Sequence, residues 1–263
     1  MSSDGQDPGA MGSAPVSRFA GNLIDILDRV EYSRVRMDVT DNPVYRLRYE
    51  AYRREEFVPF NDAGIVVDDL DEKPNAMCFG VHIDGELVSS IRLHHVTAEH
   101  PYGPSIKSCA DIVEPLLAKG QTFIDPSRFT ADYEASLAYP ALPFLTLRIA
   151  VMATDYFETT ACLALVRREH AAFYRRVFGA TEMSDTRPYP GLNFPVVLYQ
   201  SNSSVNLQQI YARFPFFRST RVEQEQLFSS IDLRGYESPI QTTSREAFDL
   251  AMAGRNGNII AAE

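Results

Sequence analysis

Residues 77–96 read MCFGVHIDGELVSSIRLHHV. Two runs in which apolar side chains alternate with others meet at Asp84-Gly85, a dipeptide that accepts the positive φ of a tight turn. The spacing predicts an antiparallel hairpin, residues 76–83 with 86–96. This stretch constrains the fold more than any other. Strands joined by a two-residue turn pair antiparallel, whereas a regular βαβ repeat needs a helical crossover between neighbouring strands.

The flanking text fits a mixed architecture. Leu23, Ile24, Leu27 and Val30 recur at helical spacing and predict a short amphipathic helix starting at Phe19. EYSRVRMDV alternates as a first strand. Asn42-Pro43 supplies a cap and a first-turn proline for a longer helix through YRLRYEAYRREEF. After the hairpin come a helix over 106–118 distorted at Pro115, the strand QTFIDPSRFTAD, the apolar helix PFLTLRIAVMATDYF and the strand ACLALV. The helix REHAAFYRRVFG follows, stopped by Gly179, and then a strand pair near TEMS and FPVVLYQS. The class is α/β (α+β), with a mixed, largely antiparallel central sheet flanked by helices. Residues 1–18 read as a flexible tail, 19–201 as the folded domain, and 202–263 as a C-terminal extension. That extension carries a helix around 205–213, the aromatic patch FPFF and a frayed end.

Composition narrows the function classes. Of the 263 residues 45% are hydrophobic, enough for a substantial core without any Trp. A net charge of −10 argues against a nucleic-acid or anionic-membrane binder, which needs a dense basic surface. No apolar run of membrane-spanning length occurs, and the N-terminus lacks a signal peptide's apolar region, so a soluble, cytoplasmic protein is expected. Cys78, Cys109 and Cys162 are odd in number and widely spaced, which suggests neither a disulfide framework nor a metal site. His94 and His95, adjacent on a strand, point to opposite faces, a poor start for metal binding.

FIDPSRFTAD, residues 123–132, places an acid, a proline and a Ser-Arg-Phe triplet inside a strand. Together with LRYEAY in the first long helix and the acidic DDLDE loop before the hairpin, it resembles the GNAT acyltransferase superfamily, and within it the acyl-homoserine-lactone (autoinducer) synthases. By that resemblance Arg48 and Tyr52 match the family's first-helix Arg and aromatic, and Asp68 and Asp71 its acidic pair. Arg92 matches the hairpin arginine, and Asp125 and Arg128, followed by Phe129, match its strand motif. Asp125 stands where that family has Glu, Tyr52 where it has Phe, and the family's Trp has no counterpart. These departures bring the chain closer to the long-chain N-acyl amino acid synthases, which share the fold and an acyl carrier protein donor. The resemblance covers roughly residues 30–200.

It implies a GNAT-like sheet and an N-acyltransferase that moves an acyl chain from a carrier-linked phosphopantetheine to a small amine or amino acid, with no tightly bound cofactor or metal. Asp125 is the candidate base for the acceptor amine, acting through water, and Tyr174, in a stretch similar to the GNAT fYxxxGF turn, the candidate proton donor to the leaving thiolate. Arg48, Asp68, Asp71, Arg92 and Arg128 form either an ion-paired scaffold with Asp125 or direct substrate contacts, an arginine holding a substrate carboxylate, and Tyr52 and Phe129 belong to the same substrate site or its scaffold. YEASLAYPALPF, where coenzyme-A-dependent relatives carry a glycine-rich pyrophosphate loop, contains no glycine. This favours an acyl carrier protein, with Arg167, Arg168, Arg175 and Arg176 as its docking candidates. Phe144, Leu145, Leu147, Ile149, Met152 and Phe157 are either an acyl-pocket wall or plain core. Two rival readings stay open: an autoinducer synthase using S-adenosylmethionine, and a non-catalytic module that binds an acyl carrier.

Overall fold

A computed structural model describes residues 18–35, 42–189, 191–229 and 239–260, with side chains of the last helix up to Ala253. The tail expected over 1–18 lies, up to residue 17, outside the described residues.

Local chemistry sets the first elements. Helix α1, Arg18–Leu27, buries the stripe Ala20, Leu23, Ile24 and Leu27, while Val30 opens strand β1, Val30–Val35, rather than ending the helix. Asn42 accepts a hydrogen bond from Val44 N at 2.9 Å and Pro43 takes the first turn, so α2 runs Pro43–Arg54. The hairpin forms as expected from β2, Ala76–Ile83, and β3, Glu86–Val96, with φ of 53° at Asp84 and 84° at Gly85.

Next come α3, Pro104–Leu117, and β4, Phe123–Ala131. The break in α3 falls at Cys109, with φ −141° and ψ 41°, not at Pro115. It separates a first turn held by a carboxylate of β4, described below, from the rest of the helix. Then follow α4, Tyr133–Ala138, α5, Leu142–Tyr156, and β5, Ala161–Val166. A short 3-10 turn at Arg168–His170 leads into α6, Ala171–Phe178, which Gly179 ends in the left-handed region. Strands β6, Thr181–Glu182, β7, Arg187–Pro188, and β8, Pro195–Asn202, complete this part.

Among the described residues the sheet order is β6-β8-β5-β4-β3-β2-β1-β9, with β7 on β8. Every pairing is antiparallel except β4 with β5. That parallel pair registers only at Phe123 with Ala161 and Ile124 with Cys162, after which the strands diverge. Helices α2 and α3 cover one face of the sheet and α1, α5, α7 and α8 the other, where the largest apolar core lies.

The polar text beyond residue 202 folds into that same core. Helix α7, Ser203–Arg213, a 3-10 turn at Pro215–Phe217 and α8, Arg221–Phe228, bury Ile210, Phe216, Phe217, Leu227 and Phe228 in it, and β9, Ile240–Gln241, extends the sheet beside β1. Helix α9 runs Ser244–Ile260, across most of the stretch expected to fray. Arg148 of α5 and Glu223 of α8 form a fully buried two-pronged pair at 2.5 and 2.9 Å. Arg148 also donates to Phe216 O, and Glu223 accepts from Thr243. A boundary at 202 therefore separates side chains that share one packed interior. No helix among the described residues is long and apolar enough to cross a membrane.

Candidate active site

Where β4 and β5 part, a cavity of about 480 Å3 opens between them. Both faces of β5 line it, Cys162, Ala164 and Val166 on one side and Leu163 and Leu165 on the other, so it passes through the plane of the sheet. On the core side the walls come from α5, α6 and α7; on the other side they come from Tyr52, Phe57, Tyr189 and Phe194.

An ionic cluster lies beside the gap on the α2 side. Arg48 of α2 and Arg92 of β3, both fully buried, each meet Asp71 Oδ1 at 2.9 Å. Arg92 also bonds Asp68 at 2.6 Å and Ser127 Oγ at 3.1 Å, and Arg128 grips Asp68 from β4. Burial alone raises the Asp68 carboxyl; Arg92 and Arg128 outweigh it and hold the group well below the usual carboxylate range. Three guanidiniums face two carboxylates, and Arg128 Nη1 and Arg48 Nε have no hydrogen-bond partner among the described residues. The cluster carries excess positive charge.

Arg128 has φ of 51°, unusual for a residue with a side chain, and the β3–β4 register shifts opposite it. This bulge turns the guanidinium toward Asp68 and over the Tyr52 ring at 5.5 Å. Tyr52 and Phe129 both line the cavity.

Asp125 stands apart from the cavity wall. It is fully buried on the α3 side, accepting from Ser105 N at 2.8 Å and Ser105 Oγ at 2.7 Å, so its carboxyl caps the first turn of α3. Burial pushes it up to about 6, against the lowering effect of the Ser105 bonds and Arg92. Asp125, the expected water-mediated base, turns to the end of α3 and is absent from the cavity lining.

A second cavity, of about 390 Å3, lies on the α2–α3 side, lined by Val58, Ile65, Val67, Asp68, Asp69, Pro104 and Lys107, among others. Lys107 pairs with Asp69 at its rim. Arg128 and Tyr189 belong to the walls of both cavities. Tyr189 sits in the loop between β7 and β8, where no periodicity or motif marks it, and sequence reasoning missed it.

Tyr174 lines the first cavity alone, packed on Phe173 and Phe178 at 5.4 and 5.9 Å, and burial followed by the nearby Cys162 raises its hydroxyl above the usual range. Helix α5 presents Pro143, Leu147, Ala150, Val151 and Thr154 to the cavity, a helical face of mostly smaller side chains. Of the six apolar residues singled out on this helix only Leu147 is among them; Leu145, Ile149 and Met152 are core, and Phe157 stacks on His95. His94 lies on the opposite face, fully buried, with Nε2 at 3.0 Å from Leu70 O.

Of the four arginines expected to dock a carrier, Arg167 lines the cavity, stacked on Phe57 and Phe194 at 5.2 and 5.7 Å. Arg168 and Arg175 share Glu182, and Arg176 is exposed on α6.

A sheet that opens between two parallel strands, with an apolar cavity through the gap and a charged cluster beside it, is a GNAT-like fold with a cleft at its centre. A family model described as "N-acyl amino acid synthase FeeM" matches residues 43–202, more than half of the chain, and the protein belongs to that family. It is therefore an acyltransferase. The structure of FeeM from uncultured soil microbes superposes with a TM-score of 0.54 at 15% identity, covering 67% of this chain and 92% of that one. The AHL synthase LasI superposes with a TM-score of 0.51 at 14% identity, covering 70% and 93%. No curated protein sequence matches the chain.

Proposed function

We propose that the protein joins a medium or long acyl chain, delivered on acyl carrier protein, to the amine of an amino acid. The observation that carries this reading is a pair of cavities that share Arg128 in their walls, one apolar and passing through the sheet, the other on the charged face. The first suits an acyl tail, which gains about 0.8 kcal/mol per methylene buried. Beyond Ile124 the β4 edge facing β5 is unpaired with that strand, and its backbone groups suit the amides of the arm.

The acceptor enters the second cavity. Its carboxylate is met by Arg128, whose Nη1 has no hydrogen-bond partner among the described residues, within a cluster holding more arginines than carboxylates. Arg48, Arg92, Asp68 and Asp71 brace that arginine, with Tyr52 and Phe129 beside the acyl cavity, and Asp125 acts as a positioning residue through α3.

The donor is a carrier-linked thioester. The α4 N-terminus after β4 is occupied by Asp132, which accepts from Ala135 N at 2.8 Å, with Glu134 in the same turn. At α5 the N–H groups of Leu142, Phe144 and Leu145 are bonded internally and Pro143 has none. Neither helix end offers the pyrophosphate cradle that coenzyme A needs, whereas a carrier-bound arm brings a single phosphodiester. Arg167, with Arg168, Arg175 and Arg176 nearby, forms the face that meets the acidic carrier.

The test is mass spectrometry of lipid extracts from cells expressing the protein. New N-acyl amino acids are expected; acyl-homoserine lactones would replace this reading with the autoinducer one.

A further inference from the structure

In the two-cavity reading the reactants meet beside Arg128 and Tyr189, the residues common to both walls. Transfer needs a proton delivered to the departing sulfur at that place. Arg128 cannot supply it, since a guanidinium stays protonated and this one is held by Asp68. Tyr189 carries the hydroxyl.

We infer that Tyr189 is the catalytic proton donor of the transfer, relaying a proton from the attacking nitrogen to the leaving thiolate. This rests on the two-cavity reading above. The neutral amine attacks the thioester carbonyl, forming the N–C bond and a tetrahedral intermediate with N–H+ and O−. As the C–S bond breaks, its electron pair goes to sulfur, which takes the Tyr189 proton. The phenolate takes the surplus proton from nitrogen, so the amide, a free thiol and the original Tyr189 result with no external reactant.

The surroundings suit a transient phenolate. The Arg128 and Tyr189 charges act on each other, and the ring is fixed against Phe194 at 5.9 Å. Burial pushes the Tyr189 hydroxyl up to about 12, while Arg128 and Arg92 pull the other way. Giving a proton to an alkyl thiolate of pKa about 8.5 is uphill for such a phenol. The step proceeds because the phenolate immediately recovers the far more acidic proton on nitrogen. Tyr174, in the wall of the tail cavity alone, lacks this access to the acceptor side.

The experiment compares wild type, Tyr189→Phe and Tyr174→Phe on an acyl-carrier thioester, whose alkyl thiolate needs a proton, and on an acyl p-nitrothiophenyl ester, whose thiolate departs without one. Tyr189→Phe should lower kcat about 10²–10⁴-fold on the carrier donor with KM little changed, and recover to within a few-fold of wild type on the aryl ester. Loss under threefold on the carrier donor, equal loss on both donors, or the selective pattern in Tyr174→Phe instead would overturn the assignment. Which donor and amine the wild type accepts tests the substrate reading separately, because the role of Tyr189 is read from the variant-to-wild-type ratio on whichever pair is turned over.

Discussion

Gly103 and Asp125 lie so close that a Cβ on residue 103 would sit 2.5 Å from Asp125 Oδ2. The glycine is what allows the carboxyl to reach the N–H of Ser105 and seat the first turn of α3 against β4. Gly103→Ala is expected to push Asp125 off that turn, costing about 1–3 kcal/mol for the buried groups left unpaired, read as a lower urea midpoint.

The same carboxyl gives a pH signature. Its folded value near 6 lies above its ordinary 3.8, so the folded chain holds a proton that the unfolded chain releases between these values. Asp125 therefore contributes its stability fully below pH about 4 and loses it as pH rises through 6. At about 1.4 kcal/mol per unit the loss is up to ~3 kcal/mol. Asp125→Asn, neutral at every pH, should gain on wild type by about that amount between pH 4 and 7 in urea titrations. A constant difference across the range would contradict the placement.

Arg148 and Glu223 make the C-terminal segment part of the core. Arg148→Ala should destabilise by about 3–5 kcal/mol because it strands a buried carboxylate, while Arg148→Met with Glu223→Leu should restore most of the loss. Chemical denaturation of the two variants decides; an exposed extension would show neither effect.

Arg128 predicts acceptor selectivity. Arg128→Gln should raise KM for an amino acid about 10–100-fold, as expected for a lost charge-assisted bond worth ~1.5–3 kcal/mol, and much less for the amine lacking the carboxylate. Equal effects on both acceptors would confine Arg128 to bracing Asp68.

Ala150 faces the first cavity from α5 and is expected to limit tail length there. Ala150→Leu fills space used by about three methylenes, so kcat/KM for the longest accepted chain should fall roughly 10–100-fold at ~0.8 kcal/mol each, with shorter chains spared. Competition between acyl donors of different length, scored by product mass, measures it.

The sequence showed best what is written locally. Asp84-Gly85 marks its turn, Asn42-Pro43 its helix start and Gly179 its helix end because turn and cap chemistry acts within a few residues. The order of Arg48, Asp68, Asp71, Arg92 and Arg128 along the chain was legible through resemblance, and the fold brings those five into one cluster. What escaped is long-range. Glu223 finds Arg148 across 75 residues with no pattern to announce it. Tyr189 sits in a loop, placed by the strands on either side. On α5 the eye is drawn to Phe144, Ile149 and Met152, but large side chains fill space, and a cavity borders smaller ones such as Ala150 and Thr154. Nor does strand alternation reveal that α3 supplies Asp125 with Ser105 and so turns this candidate base toward the helix end.

The donor and acceptor are decided together by incubating the purified protein with acyl carrier protein loaded with a long acyl chain and a mixture of amino acids, with S-adenosylmethionine in a parallel reaction. N-acyl amino acids are expected to form with release of free carrier thiol, faster than from the matching acyl-coenzyme A. An acyl-homoserine lactone formed only with S-adenosylmethionine, or amine acylation that proceeds from coenzyme A and not from the carrier, would contradict the proposed reaction.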